Sequence, residues 1–171
     1  RLMAAVLAKD ARRSEATAAR LSALALPKGG FTAPARADAL ARLRATGLPV
    51  RRDEYWRWTD PARLNADRPE AGAAFRVDRP IFEGRDKVRL VFEDGVFDAA
   101  ASDDPALAGV EIARLSEADR ADIHWAKAHY GVLEAAGQSP VLRPFAALNT
   151  AAATEGLMIR VTGKAPRPLH I

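Results

Sequence analysis

An α+β chain is what the sequence predicts, and three observations predict it. Residues Leu2 to Leu26 contain no glycine or proline and are dominated by alanine, leucine, arginine and glutamate, which favour helix. From Val88 the pattern changes to the two-residue alternation of strands around Asp94-Gly95. Between them Asp67-Arg68-Pro69-Glu70-Ala71-Gly72 is polar and rich in helix breakers. The expected division is a small helical domain over residues 1–66, followed by a mixed α+β segment over 67–171.

In the first helix the apolar face is thin. Leu2, Val6 and Leu7 group at one end and Leu21, Leu24 and Ala25 at the other, with Asp10-Ala11-Arg12-Arg13-Ser14 between, so a break or fraying midway is expected. Pro27-Lys28-Gly29-Gly30 ends it. Thr32 is placed to cap a second helix with Pro34 in its first turn, Leu40 and Leu43 on its inner side, and Gly47 followed by Pro49 as the stop. In the second part Val88, Leu90 and Phe92 alternate with Arg89, Val91 and Glu93, Asp94-Gly95 makes a tight turn and Val96-Phe97 starts the return strand of a hairpin. Val110 and Ile112 mark another short strand. Ser116, with Asp119 three residues on, resembles a capping box for a helix carrying Ile123, Ala126, Tyr130 and Leu133 on one side and closed by Gly137 and Pro140. A last helix is expected from Phe145 to about Thr154, stopped by Gly156, and then a strand in which Leu157, Ile159 and Val161 alternate with Met158 and Arg160. Pro168-Leu169-His170-Ile171 begins a further alternation that needs a neighbouring strand for its backbone groups. This abrupt end and the start at Arg1 are expected of a piece of a longer chain.

Composition places the chain among folded proteins. Hydrophobic residues make up 49% and charged residues 28%, far from the regime in which burial fails to offset ordering entropy. The net charge of +4 raises an acidic partner, but acids are interleaved with the arginines throughout. With no cysteine, these residues offer no disulfide and no thiolate ligand or nucleophile, which fits a reducing compartment. No apolar run approaches the roughly 20 residues a membrane helix needs, and a cytoplasmic location is expected.

Candidate functional residues concentrate in one segment. Arg51, Arg52, Trp56, Arg57 and Trp58 lie together, and arginines beside tryptophans stack on bases, clamp phosphate or dock a protein. The structural reading is the stronger: Trp56, with Pro61 and Leu64, pins a loop to the helical core while Arg51, Arg52, Asp53 and Glu54 form ion pairs, and docking is the lesser reading. A docked protein is favoured over nucleic acid, and a basic nucleic-acid-binding module stands as the alternative function. His124 and His129 are five apart, not the four that puts two metal ligands on one helix face, and His170 stands alone. Asn149 is expected to cap its helix or bond a neighbouring loop. With no nucleophile elbow, Walker A or GxGxxG loop, no enzymatic activity, catalytic residue, metal ligand or resident cofactor is expected of these residues.

Three segments, in this order, resemble the SufB/SufD family of iron-sulfur cluster assembly scaffolds. Residues 47–59, Gly-Leu-Pro-Val-Arg-Arg-Asp-Glu-Tyr-Trp-Arg-Trp-Thr, are similar to the family's GLPTRRDEEWKYT and are the most specific signal. Residues 89–97 are similar to its strand–turn–strand RLVFVDGRF, and Phe145 to Ala151 with Gly156 and Pro168-Leu169-His170-Ile171 to its FxALNTA, G, PLHL pattern. The resemblance runs from about Leu40 to Ile171 and departs at Tyr55 and Trp58, where the family more often has glutamate and tyrosine. It implies the amino-terminal part of a scaffold whose right-handed parallel β-helix begins near the end of this chain. It further implies SufB-like and SufC-like (ATPase) partners, engaged mostly through other regions, and an iron-sulfur cluster only at the level of the full complex. No cluster-binding residue is carried onto these positions.

Overall fold

The computed structural model describes residues 2–68 and 82–171, with side chains of the first helix described from Asp10 onward. The elements are α1 (Leu2–Ser22), α2 (Ala33–Thr46), a 3-10 turn (Glu54–Trp56), α3 (Ala62–Asn65), β1 (Val88–Arg89), β2 (Val91–Glu93), β3 (Val96–Asp98) and β4 (Val110–Arg114). They continue with α4 (Leu115–Ala118), a second 3-10 turn (Trp125–Ala128), α5 (Val132–Ala136), α6 (Pro144–Ala152), β5 (Leu157–Val161) and β6 (Leu169–His170). Helix and strand are mixed, as the α+β pattern requires.

Two compact units emerge: Arg1–Glu70 with Ala121–Ala153, and Ala71–Arg120 with Thr154–Ile171. The cut expected between 66 and 67 is therefore not the only crossing, because 121–153 returns to the first unit. Most of the breaker-rich stretch, from 69 to 72, lies outside the described residues, as do the side chains of Leu2, Val6 and Leu7.

In the first unit α2 packs on α6. Leu43, Leu48, Ala147 and Leu148 form its core, with Leu21, Leu24 and Phe145 against it. The midway break expected in α1 does not occur: the helix runs unbroken through Asp10–Ser14, because its inward stripe is partly polar and makes hydrogen bonds where an apolar stripe would make contacts. Thr32 occupies the N-cap of α2 without a side-chain capping bond. Its hydroxyl instead accepts from Arg36 Nε at 2.6 Å. The Arg36 side chain is buried, reaches the last-turn carbonyl of Ala151 at 3.3 Å and lies over the Tyr130 ring. A guanidinium at a helix C-terminus meets the negative end of the dipole and satisfies an orphan carbonyl.

The single helix expected after Ser116 is not formed. It is divided into α4, the 3-10 turn and α5, because His124 takes an extended backbone and Gly131 a left-handed one at φ 77°. A side chain at Gly131 would also crowd Ala35 and Thr150, with Cβ 3.2 Å from each. Of the expected inner face Ala126 is buried and Tyr130 donates to the Thr150 carbonyl at 2.7 Å, whereas Ile123 and Leu133 face solvent. The cap position of α4 belongs to Arg114, and the Ser116 hydroxyl bonds Glu155.

Among the described residues the second unit holds three two-stranded ladders. Strands β2 and β3 form the expected hairpin, in register Val91↔Asp98, Phe92↔Phe97 and Glu93↔Val96. Asp94 and Gly95 both have positive φ, 47° and 78°, the backbone of a tight type I′ loop. Strand β4 pairs antiparallel with β5 from Val110↔Val161 to Arg114↔Leu157. The strand that Leu169-His170 requires is β1, paired in parallel. Val88, Leu90, Leu107 and Leu115 are buried in this unit. The described residues form no parallel β-helix: two of the three ladders are antiparallel, and the parallel one is two residues long.

Candidate docking surface

Residues 47–58 are shaped by α1. Gly47 ends α2 at φ 68°, where L side chains are strained, and its N–H returns to Leu43 O at 2.7 Å. A Cβ there would lie 2.6 Å from Arg13 Cγ, so glycine also lets α1 approach. Arg13 then anchors the following loop. Its Nη1 points at the Thr46 and Leu48 carbonyls, and its Nη2 donates to Asp53 Oδ1 at 2.8 Å. One turn on, Thr17 Oγ1 accepts from Leu48 N–H at 2.9 Å, and the next residue of the stripe, Arg20, donates to the Ala66 and Asp67 carbonyls. Asn65 of α3 donates to the Pro49 carbonyl at 2.7 Å.

Asp53 closes a tight turn on itself. Its N–H donates to Val50 O at 2.8 Å, and its Oδ2 accepts from Val50 N–H at 2.9 Å. With both carboxylate oxygens engaged, Arg51 and Arg52 sit at the apex of the turn, where side chains point to water. The ion pairs expected of Arg51, Arg52 and Glu54 within the segment are not made. Arg51 and Arg52 are exposed and hydrogen-bond no described residue.

The five candidate residues divide. Trp56 is half-buried, edge-on to Phe145 with ring centroids 5.4 Å apart, which is the pinning role. Its expected companions split as well: Pro61 is fully buried, whereas Leu64 is 48% exposed. Trp58 is 87% exposed and Tyr55 73%. The Arg57 guanidinium lies 4.9 Å from the Trp58 ring centroid, presenting an exposed cation–aromatic pair. Beside this segment opens a cleft of about 320 Å³ between Pro49, Tyr55 and Trp56 on one side and Val141, Leu142 and Pro144 on the other, which Arg13, Asp53 and Glu54 also line.

His124 and His129 are structural, and the side-chain bond expected of Asn149 is not made among the described residues. His124 stacks on Phe31 at 4.8 Å, and its Nδ1 accepts from Ala126 N–H, capping the second 3-10 turn. His129 packs against Trp125. Asn149 is exposed on α6, and its carbonyl accepts from Ala153 N–H. Among the described residues no three of His, Asp and Glu gather as a metal site.

In the second unit Glu155 is bound by Arg114, Ser116 and the Gly156 N–H. Burial pushes its carboxyl up, but these hydrogen bonds and the Arg114 charge outweigh it and hold it below the usual glutamate range. The Arg114 guanidinium, held above its ordinary value chiefly by the hydrogen bond to Glu155 against the opposing effect of burial, also covers the Phe97 ring at 4.4 Å.

The polar stripe Arg13, Thr17, Arg20 was missed in the sequence. Its signal was present, since spacings of four and three put all three on one helix face. No protein-family model and no curated protein matches the chain. Among the described residues no helix is long and apolar enough to cross a membrane.

Proposed function

We propose that this chain is the amino-terminal portion of a SufD-like scaffold subunit of an iron-sulfur cluster assembly complex, acting by docking and without turnover of its own. The observation that carries the docking role is the exposed group Arg51, Arg52, Arg57 and Trp58, which the turn at Asp53 leaves outside the internal bonding. The ordered likeness of residues 47–59, 89–97 and 145–171 to the SufB/SufD family supports the choice of scaffold. On this reading the β-helix and the main SufB-like and SufC-like contacts belong to the rest of such a subunit, the site of action is the cytoplasm, and the cluster is the product of the complex. The test is affinity purification of the full-length protein under gentle lysis with its partners co-expressed. Recovery together with SufB- and SufC-like subunits is expected, and recovery of the protein alone contradicts the proposal. A basic nucleic-acid-binding module would instead show oligonucleotide affinity falling steeply with salt.

A further inference from the structure

We infer that the cleft beside Trp56 receives a short acidic peptide carrying an apolar side chain, with the side chain in the cleft and its carboxylates on the Arg51-Arg52 turn. The inference rests on the docking reading above but does not require the scaffold assignment. Three observations carry it. At about 320 Å³ the cleft lies at the lower edge of the roughly 300–1,000 Å³ typical of ligand pockets, enough room for an apolar side chain and part of its peptide backbone. Its walls are apolar where a ligand would enter: Tyr55 and Leu142 both line it and are 73% and 59% exposed, an unusual exposure for two large side chains facing one another across a cleft.

Charge supplies the rest. Pro49 and Asp53 line the cleft, and the two residues at the apex between them are Arg51 and Arg52, exposed and bonded to no described residue. Two acids line the cleft: Asp53, neutralised by Arg13 at 2.8 Å, and Glu54. Arg57 adds a third exposed cation beside Trp56. Glu54 is the only carboxylate of residues 50–58 without a bonded partner among the described residues. A rim of three guanidiniums against one carboxylate complements an anion, and arginine binds carboxylates through two parallel N–H groups. A nucleic acid would use the same cations and stack its bases on exposed aromatic faces, of which Trp58 is already covered by Arg57. The peptide is favoured because Leu142, Val141 and Pro144 line the cleft with aliphatic surface.

The test is fluorescence anisotropy of a labelled peptide of alternating glutamate and leucine, titrated with the full chain. Saturable binding that weakens with salt is expected. Replacing the leucines by alanine abolishes it, and the Arg51→Glu/Arg52→Glu variant weakens it about tenfold, the sum of two reversed rim contacts. Leu142→Ser, on the opposite wall, weakens it without altering charge. Circular dichroism of both variants matching the unaltered chain shows that folding is retained. Absence of peptide binding, or binding unchanged by the charge reversal, overturns the inference. So does a single-stranded oligonucleotide that binds more tightly than the peptide and is lost in the same variant. Co-purification with SufB- and SufC-like subunits alongside a failed peptide titration would leave the scaffold reading standing and remove only this one. Peptide binding without co-purification does the reverse.

Discussion

Arg13 in the first unit and Arg114 in the second each hold a carboxylate, yet the surroundings of the two pairs differ. Around Arg114 every nearby acid is engaged: Glu155 takes Arg114, Ser116 and the Gly156 N–H, and Glu117 pairs with Arg114 from the next turn. Around Arg13 the carboxylate of Asp53 is consumed by Arg13 and its own turn, and two arginines at that turn are left facing water. A charge cluster that closes on itself is architecture. One that leaves several cations of like sign beside a partly apolar cleft is a surface open to solvent, and this difference is why docking is proposed for the first unit.

Predictions follow the same contrast, beginning with the residues that hold each unit. Leu43, fully buried between α2 and α6, is expected to cost roughly 2–5 kcal/mol as Leu43→Ala in chemical denaturation. The loss should appear as faster hydrogen exchange in α2 and α6, with the β4–β5 ladder unaffected. The glycines come next. Gly47→Ala strains a φ of 68° and meets Arg13, and Gly109→Ala strains a φ of 74° and meets the Gly163 and Lys164 backbone at 2.9 Å. Each should lose about 1–3 kcal/mol, in the first unit for Gly47 and in the second for Gly109, so exchange in the wrong unit would break the comparison.

A pH titration sharpens it further. Because the native Glu155 carboxyl titrates below its unfolded counterpart, its stabilisation is present above the ordinary glutamate pKa and is lost as pH falls through the lowered native value. Glu155→Gln should remove that acid-sensitive part and cost about 1–2 kcal/mol at neutral pH, read as a lower thermal midpoint that falls less on acidification than that of the unaltered chain. The smallest effect on stability is expected at the turn apex, where Arg51 and Arg52 are exposed.

Much of this was legible in the chain. Asp94-Gly95 between alternating strands defines its hairpin because few pairs accept two successive positive φ values. The helix end at Gly47 follows from glycine chemistry, whereas α6 stops at Ala152, with Ala153 as its C-cap, before the expected stop at Gly156 is reached. The alternation at 157–161 is the strand found there. What stayed hidden is long-range. Nothing local says that Val110–Arg114 pairs with Leu157–Val161, or that Leu169-His170 finds its partner at Val88-Arg89. The helix expected through Ile123 to Leu133 fails at Gly131, where the crowding by Ala35 and Thr150 is a tertiary fact. At the candidate site the residue types were visible but not their roles. Trp56 packs while Trp58 does not, and the expected pairing of Arg51 and Arg52 with Asp53 and Glu54 lost to Arg13, thirty-eight or more positions away in sequence.

The contrast between engaged and free arginines is tested most directly by equilibrium unfolding of two variants side by side, Arg13→Ala and Arg51→Glu/Arg52→Glu. The account predicts a loss of about 1–3 kcal/mol for Arg13→Ala, which removes the guanidinium from Asp53 Oδ1 and from the Thr46 and Leu48 carbonyls. It predicts a change within about 0.5 kcal/mol for the double reversal. An equal loss in both would contradict it, because Arg51 and Arg52 would then belong to the fold and not to a docking surface.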